Sequence, residues 1–333
     1  MIKMIPSSEP NKYQLEQIKR KFGMFIHFGI NTFGNVEWSD GTLPVDLYNP
    51  TSIDADSWVR TAYEAGMNYV LAITKHHDGF CMFDTDTTDY GVRNSPNKTD
   101  VIMEISKACK KYGVKFAVYY SLWDRHEPSY VNDWPKYIDY MCSHLEILLG
   151  GKYGEVVELW FDGSWDKPCK DWQFERLYDF TKRLQPQCQI GINHTIGEYS
   201  EEKTGPDESR YLPTMYQEND PIRMFPSDFR LWDPHMCRVD DPKIYTFEGE
   251  HYYMPFEMTI CSRKEFSWFY SNIYEEKELY GKDDIVKCYR ELVNCDNLMV
   301  VNMPPNTNGK LVESDVVQLM EVADELGIRR QWK

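Results

Sequence analysis

In the run VVELWFDG at 156–163, strand alternation puts Val157, Leu159 and Phe161 on one face and Glu158, Trp160 and Asp162 on the other. A carboxylate that ends a buried strand beside Trp160, just before a chain-reversing Gly163, is costly unless it is paired or used. Asp162 is therefore the first candidate for chemistry; a helix N-cap or a structural ion pair is the plainer alternative.

A second polar group, His76-His77-Asp78-Gly79, directly follows an apolar run. Adjacent histidines on an extended chain point to opposite faces, which is poor geometry for two ligands of one metal but suits donors and acceptors for substrate hydroxyls. The acidic run DTDTTD at 84–89 lacks the mid-loop glycine and terminal glutamate of a calcium loop, so it reads as solvated loop. No group has convincing ligand spacing, and neither metal nor organic cofactor is expected.

These residues sit at the ends of a repeating series. Short apolar runs at 22–29, 67–76, 115–121, 156–163, 188–193 and 297–304 alternate with amphipathic stretches, among them 98–112, 132–149, 171–184 and 313–326. Strand, helix, strand at this spacing signals βαβ units and a parallel sheet. A doubly wound sheet would need a glycine-rich turn after its first strand, and FGMFIHFGINTFGN has none. A (β/α)8 barrel instead collects its polar residues at the C-terminal strand ends. His27, His76, His77, Ser121, Asp162 and Asn193 fall there. The expected architecture is an α/β TIM-like barrel forming one catalytic domain over 1–333, with an elaborated excursion over the mouth at about 196–245.

With 37 basic and 53 acidic residues the net charge is −16, which disfavours nucleic acid and anionic membranes and points to a neutral substrate. No apolar run approaches a membrane span, and the N-terminus lacks the apolar core of a secretory signal. The nine cysteines show no metal-like pairing and read as buried free thiols.

Taken together the motifs resemble the glycoside hydrolase family 29 α-L-fucosidases. The resemblance runs through FGMFIHFGINTF (22–33), EWSDGT (37–42), AITKHHDGFCMF (72–83), FAVYYSLWDRHEPSY (116–130), ELWFDGSW (158–165), MPFEMTICSRKEFSWFY (254–270) and LVNCDNLMVVNMPPNTNGKL (292–311). It implies a retaining double displacement by two carboxyl groups about 5–5.5 Å apart, releasing terminal α-linked L-fucose from a fucosylated oligosaccharide or glycoconjugate. It makes Asp162 the nucleophile and His27, Glu37, Trp38, His76, His77 and Tyr119 the fucose-binding positions, with Trp268 against the C6 methyl group. Glu257, in M-P-F-E, matches the acid/base position of the subfamily acting on α-1,3/1,4-linked fucose, which WDRHEPSY also resembles. Glu250 and Glu248, in F-E-G-E-H, are the alternatives. The chain ends soon after its last barrel motif, so no β-sandwich is expected. Two competing readings are a fucose-binding protein without turnover and a glycosidase for a related sugar such as α-L-galactose.

Overall fold

The computed structural model describes residues 1–197, 217–231, 241–265 and 267–332. Eight strands close into a parallel barrel: β1 (Phe22–Ile26), β2 (Tyr69–Lys75), β3 (Lys115–Ser121), β4 (Val156–Asp162), β5 (Gln189–Asn193), β6 (Phe229–Leu231), β9 (Phe256–Cys261) and β10 (Leu298–Asn302). Each pairs with its neighbour in sequence, and β10 closes the ring against β1, with Phe22 opposite Met299. Strands β7 (Ile244–Phe247) and β8 (Glu250–Tyr253) form a separate antiparallel hairpin.

The crossover helices begin and stop where local chemistry dictates. Asp54, Asp100 and Asp133 each accept a backbone N–H in the first turn of the helices Ala55–Glu64, Val101–Tyr112 and Trp134–Leu149. Gly113 ends the second of these at φ +68°. The apolar faces of the helices pack on outward strand residues such as Val118, Leu159, Phe161 and Val301. The opposite strand faces fill the barrel with Phe25, Tyr69, Leu71, Tyr119, Trp160, Leu298 and Val300. Gly23 is required by this filling, because a Cβ there would lie 2.6 Å from the Tyr69 ring.

The structure departs from the sequence reading inside the expected excursion. Residues 198–216 and 232–240 of that stretch lie outside the described residues. Phe229–Leu231, within the same stretch, is a barrel strand rather than part of a cover. At three residues with a central Arg230, it leaves no apolar run to read. The β7–β8 hairpin packs through Tyr245 and Tyr252 against Ile196, Ile222 and Met254, forming a small core of its own.

Among the described residues the eight cysteines are free thiols, seven of them buried. No described helix is long and apolar enough to cross a membrane.

Candidate active site

Along β4 the inward residues are Glu158, Trp160 and Asp162, so one strand spans the barrel interior from floor to mouth. Asp162 ends the strand at the mouth and is 6% exposed. Its Oδ2 accepts from the Tyr119 hydroxyl at 2.7 Å and its Oδ1 from Asn193 Nδ2 at 2.9 Å. Burial raises its pKa above the usual carboxylate range, opposed by these two donors and by the Gly163 N–H. The chain must then leave the barrel sharply. Gly163 takes φ +78°, and a Cβ there would sit 2.8 Å from Trp123 Cβ.

The three histidines at the mouth are neutral. His27 is pushed down to about 3 by burial, and His76 and His77 well below the ordinary imidazole range for the same reason. Their tautomers follow from their partners. Asn302 Nδ2 donates to the carbonyls of Ser267 and Trp268 at 3.2 and 2.8 Å, so its Oδ1 accepts from His27 Nδ1, 2.7 Å away. Ser121 Oγ donates to the Trp123 carbonyl at 2.7 Å and therefore accepts from His77 Nδ1 at 2.6 Å. Each ring thus keeps a bare Nε2, that of His77 lying 3.5 Å from Asp162 Oδ2. A bare imidazole nitrogen can accept the proton of a ligand hydroxyl. His76 stacks on Tyr119 with centroids 5.6 Å apart, and its buried Nδ1 has no hydrogen-bond partner.

Glu37 lies on the loop after β1. Its Oε2 accepts from the backbone N–H groups of Trp268 and Phe269 at 3.1 and 3.0 Å. Burial pushes its pKa up to about 7, so below that pH it is a neutral donor. Trp268 lies 5.1 Å from the His27 ring, and Trp38 stands edge-on to His77 at 5.1 Å. Beneath the histidine pair, the buried Lys75–Asp124 ion pair at 2.8 Å ties the end of β2 to the loop after β3. Asp124 Oδ1 also accepts from the backbone N–H groups of His126 and Glu127.

The structure therefore brings Asp162, His27, His76, His77, Tyr119, Glu37, Trp38 and Trp268 to one mouth. It does not bring Glu257 there. Glu257 is the second residue of β9, where its carboxyl accepts from the Tyr69 hydroxyl at 2.7 Å and from Trp160 Nε1 at 3.1 Å. It belongs with Glu158, Arg20 and Gln17 at the barrel floor; Arg20 donates to Glu158, as does Gln17 at 3.2 Å. Four residues of strand place Glu158 about 13 Å below Asp162. Glu248 and Glu250 lie at the turn of the β7–β8 hairpin and are exposed, with no contact to Asp162. Asn302 escaped the sequence reading, although it ends β10 on the inward face as Asp162 ends β4.

Among the described residues no group of three or more His, Cys, Asp or Glu is arranged to hold a metal ion. The chemistry on offer is that of an ionisable nucleophile in a pocket of neutral hydrogen-bonding groups with aromatic walls, suited to a neutral polyhydroxylated ligand.

Comparison with known proteins gives the family of the chain. The alpha-L-fucosidase family model matches residues 34–329, and the chain belongs to that family. It is 31% identical over 330 residues to Alpha-L-fucosidase 1 of Arabidopsis thaliana, covering 96% of this chain and 60% of that protein. The chain thus spans about three fifths of the length of that curated relative. Among solved structures, alpha-L-fucosidase isoenzyme 1 from Paenibacillus thiaminolyticus superposes with a TM-score of 0.72 at 26% identity, over 95% of this chain and 76% of that one. A glycoside hydrolase 29 family member from an unknown rumen bacterium gives 0.76 at 27%, over 97% and 58%.

Proposed function

We propose that the protein is a retaining α-L-fucosidase that releases terminal α-linked L-fucose through a fucosyl-enzyme on Asp162. The observation that carries this reading is the Asp162 carboxylate, fixed by Tyr119 and Asn193 at the end of β4 and facing the bare Nε2 of His77. In the first step an Asp162 oxygen bonds to the anomeric carbon while the glycosidic C–O bond breaks and the departing oxygen takes a proton. In the second step water, giving up a proton, displaces Asp162 and frees fucose. His27 and His77 accept from sugar hydroxyls, and protonated Glu37 donates to one. The chain's membership of the family supports fucose as the sugar. The α-1,3/1,4 linkage class rests on the likeness of WDRHEPSY to that subfamily.

The proton donor has to stand on the mouth side of Asp162, and the burial of Glu257 between Tyr69 and Trp160 speaks against it. A panel of aryl fucoside with α-1,2-, α-1,3-, α-1,4- and α-1,6-fucosylated oligosaccharides tests both activity and linkage. No release of fucose from any of them would overturn the reading. The donor is identified by assaying Glu37→Gln, Glu248→Gln and Glu250→Gln on good and poor leaving groups. Its loss slows departure of a sugar by about 10²–10⁴ and spares an activated aryl group.

A further inference from the structure

Three indoles meet just outside the pocket. Trp165, on the one-turn helix Ser164–Asp166 three residues beyond Asp162, faces Trp38 at 6.2 Å with planes only 17° apart. Trp123 closes the third side, 6.4 Å from Trp165 and 6.1 Å from Trp38. The His77 ring touches this cluster edge-on, 5.4 Å from Trp165, while its Nε2 faces Asp162. His194, following β5, lies 5.3 Å from Trp165 on the other side. Exposure separates the cluster from the pocket: the pocket floor is buried, Trp165 and Trp123 are half-buried, and Trp38 is 48% exposed. Arg125 lies over the Trp123 face at 4.3 Å and donates to the Ser39 carbonyl, tying this wall to the Trp38 loop.

We propose that Trp165 and Trp123, next to Trp38 of the fucose pocket, form the subsite for the leaving group, taking the apolar C–H face of a neutral pyranose or the ring of an aryl aglycone. This rests on the fucosidase reading. A core indole would be covered, whereas Trp165 and Trp123 are half-buried and Trp38 is exposed. The leaving group departs on the sugar face opposite Asp162 and out through the mouth, and the loops after β1, β3 and β4 carry these three rings at that mouth. The indoles carry no formal charge to select an ionic partner, and Arg125 is already seated on Trp123.

The test compares α-L-fucosyl fluoride, which has no ring on the leaving side, with an α-fucosylated disaccharide in the full chain. Trp165→Ala should lower kcat/KM for the disaccharide about tenfold or more, chiefly through KM, while fluoride release stays within about threefold. Trp165→Phe should restore most of the loss, and Trp165→Leu should show the same split as alanine. Equal losses on both substrates, or an undiminished disaccharide rate, overturn the subsite. If the wild-type protein releases no fluoride, the fucosidase reading fails and the subsite fails with it, an outcome distinct from a wild type that is active and a variant that shows no split.

Discussion

Asp162 and Glu257 occupy opposite ends of one barrel interior and are joined by a pair of stacked rings. Tyr119 and Trp160 lie 5.4 Å apart at 28°; the Tyr119 hydroxyl donates up to Asp162, and the Trp160 indole donates down to Glu257. The ring layer that fills the barrel thus holds the proposed nucleophile at the mouth and a second carboxyl at the floor. Their burial at opposite ends speaks against their acting on one glycosidic bond.

Removing the Asp162 side chain should abolish turnover while leaving the fold intact. Asp162→Gly is expected to lose about three or more orders of magnitude in kcat on an aryl fucoside, with azide restoring part of the rate and giving an inverted product. Product stereochemistry by NMR checks this. A variant within tenfold of wild type would remove Asp162 from the mechanism.

The acid limb of the kcat/KM profile should report Asp162. Its folded pKa is raised by burial, so activity should fall as pH drops through a value above the ordinary aspartate range. Tyr119→Phe removes a donor that favours the ionised form, so this limb should move to higher pH. A limb that stays in place would show that another group sets it.

Glu37 should shape the other side of the profile. With its pKa at about 7, it loses its proton and its donor role as pH rises through neutrality. Glu37→Gln keeps a neutral donor at all pH values. The alkaline limb is therefore expected to shift upward in the variant, with KM changed more than kcat if Glu37 only binds substrate. The histidines add no limb near neutrality, because burial lowers all three pKa values well below the ordinary imidazole range.

At the floor, Glu257 should act on stability rather than on catalysis. Burial and the neighbouring Glu158 raise its pKa well above the usual range; burial raises that of Glu158 as well, opposed by Arg20 and Gln17. The native state then holds a proton that the unfolded chain releases, so Glu257 costs stability progressively as pH rises above the unfolded value near 4.3. Glu257→Gln keeps the shape without the proton. Its urea midpoint relative to wild type should rise between pH 5 and pH 8, with kcat/KM changed less than about threefold. A variant that folds but is catalytically dead would restore Glu257 to the reaction.

The barrel and the place of Asp162 at a buried strand end were legible because period-two alternation and buried strand ends are local signals. VVELWFDG carries both in eight residues. The height of a side chain inside the barrel is not local. Glu257 and Asp162 both point inward, but β9 begins at Phe256, so Glu257 enters at the floor, whereas Asp162 is the last residue of β4. M-P-F-E shows an inward carboxyl and nothing of its depth. Trp165 was hidden for another reason: it sits on a single turn of helix, where no periodicity develops.

The pairing of β1 with both β2 and β10 also bears on how the chain emerges during synthesis. Residues 22–26 leave the ribosome early, and the partner for their second edge, residues 298–302, comes last among the strands. At about 5–20 residues per second, that edge waits on the order of 15–55 s with its backbone donors and acceptors unmatched. Until the last strand is delivered, the nascent protein is an open, curling sheet rather than a ring. The interval is long enough for a chaperone, or another half-made copy, to find that edge first.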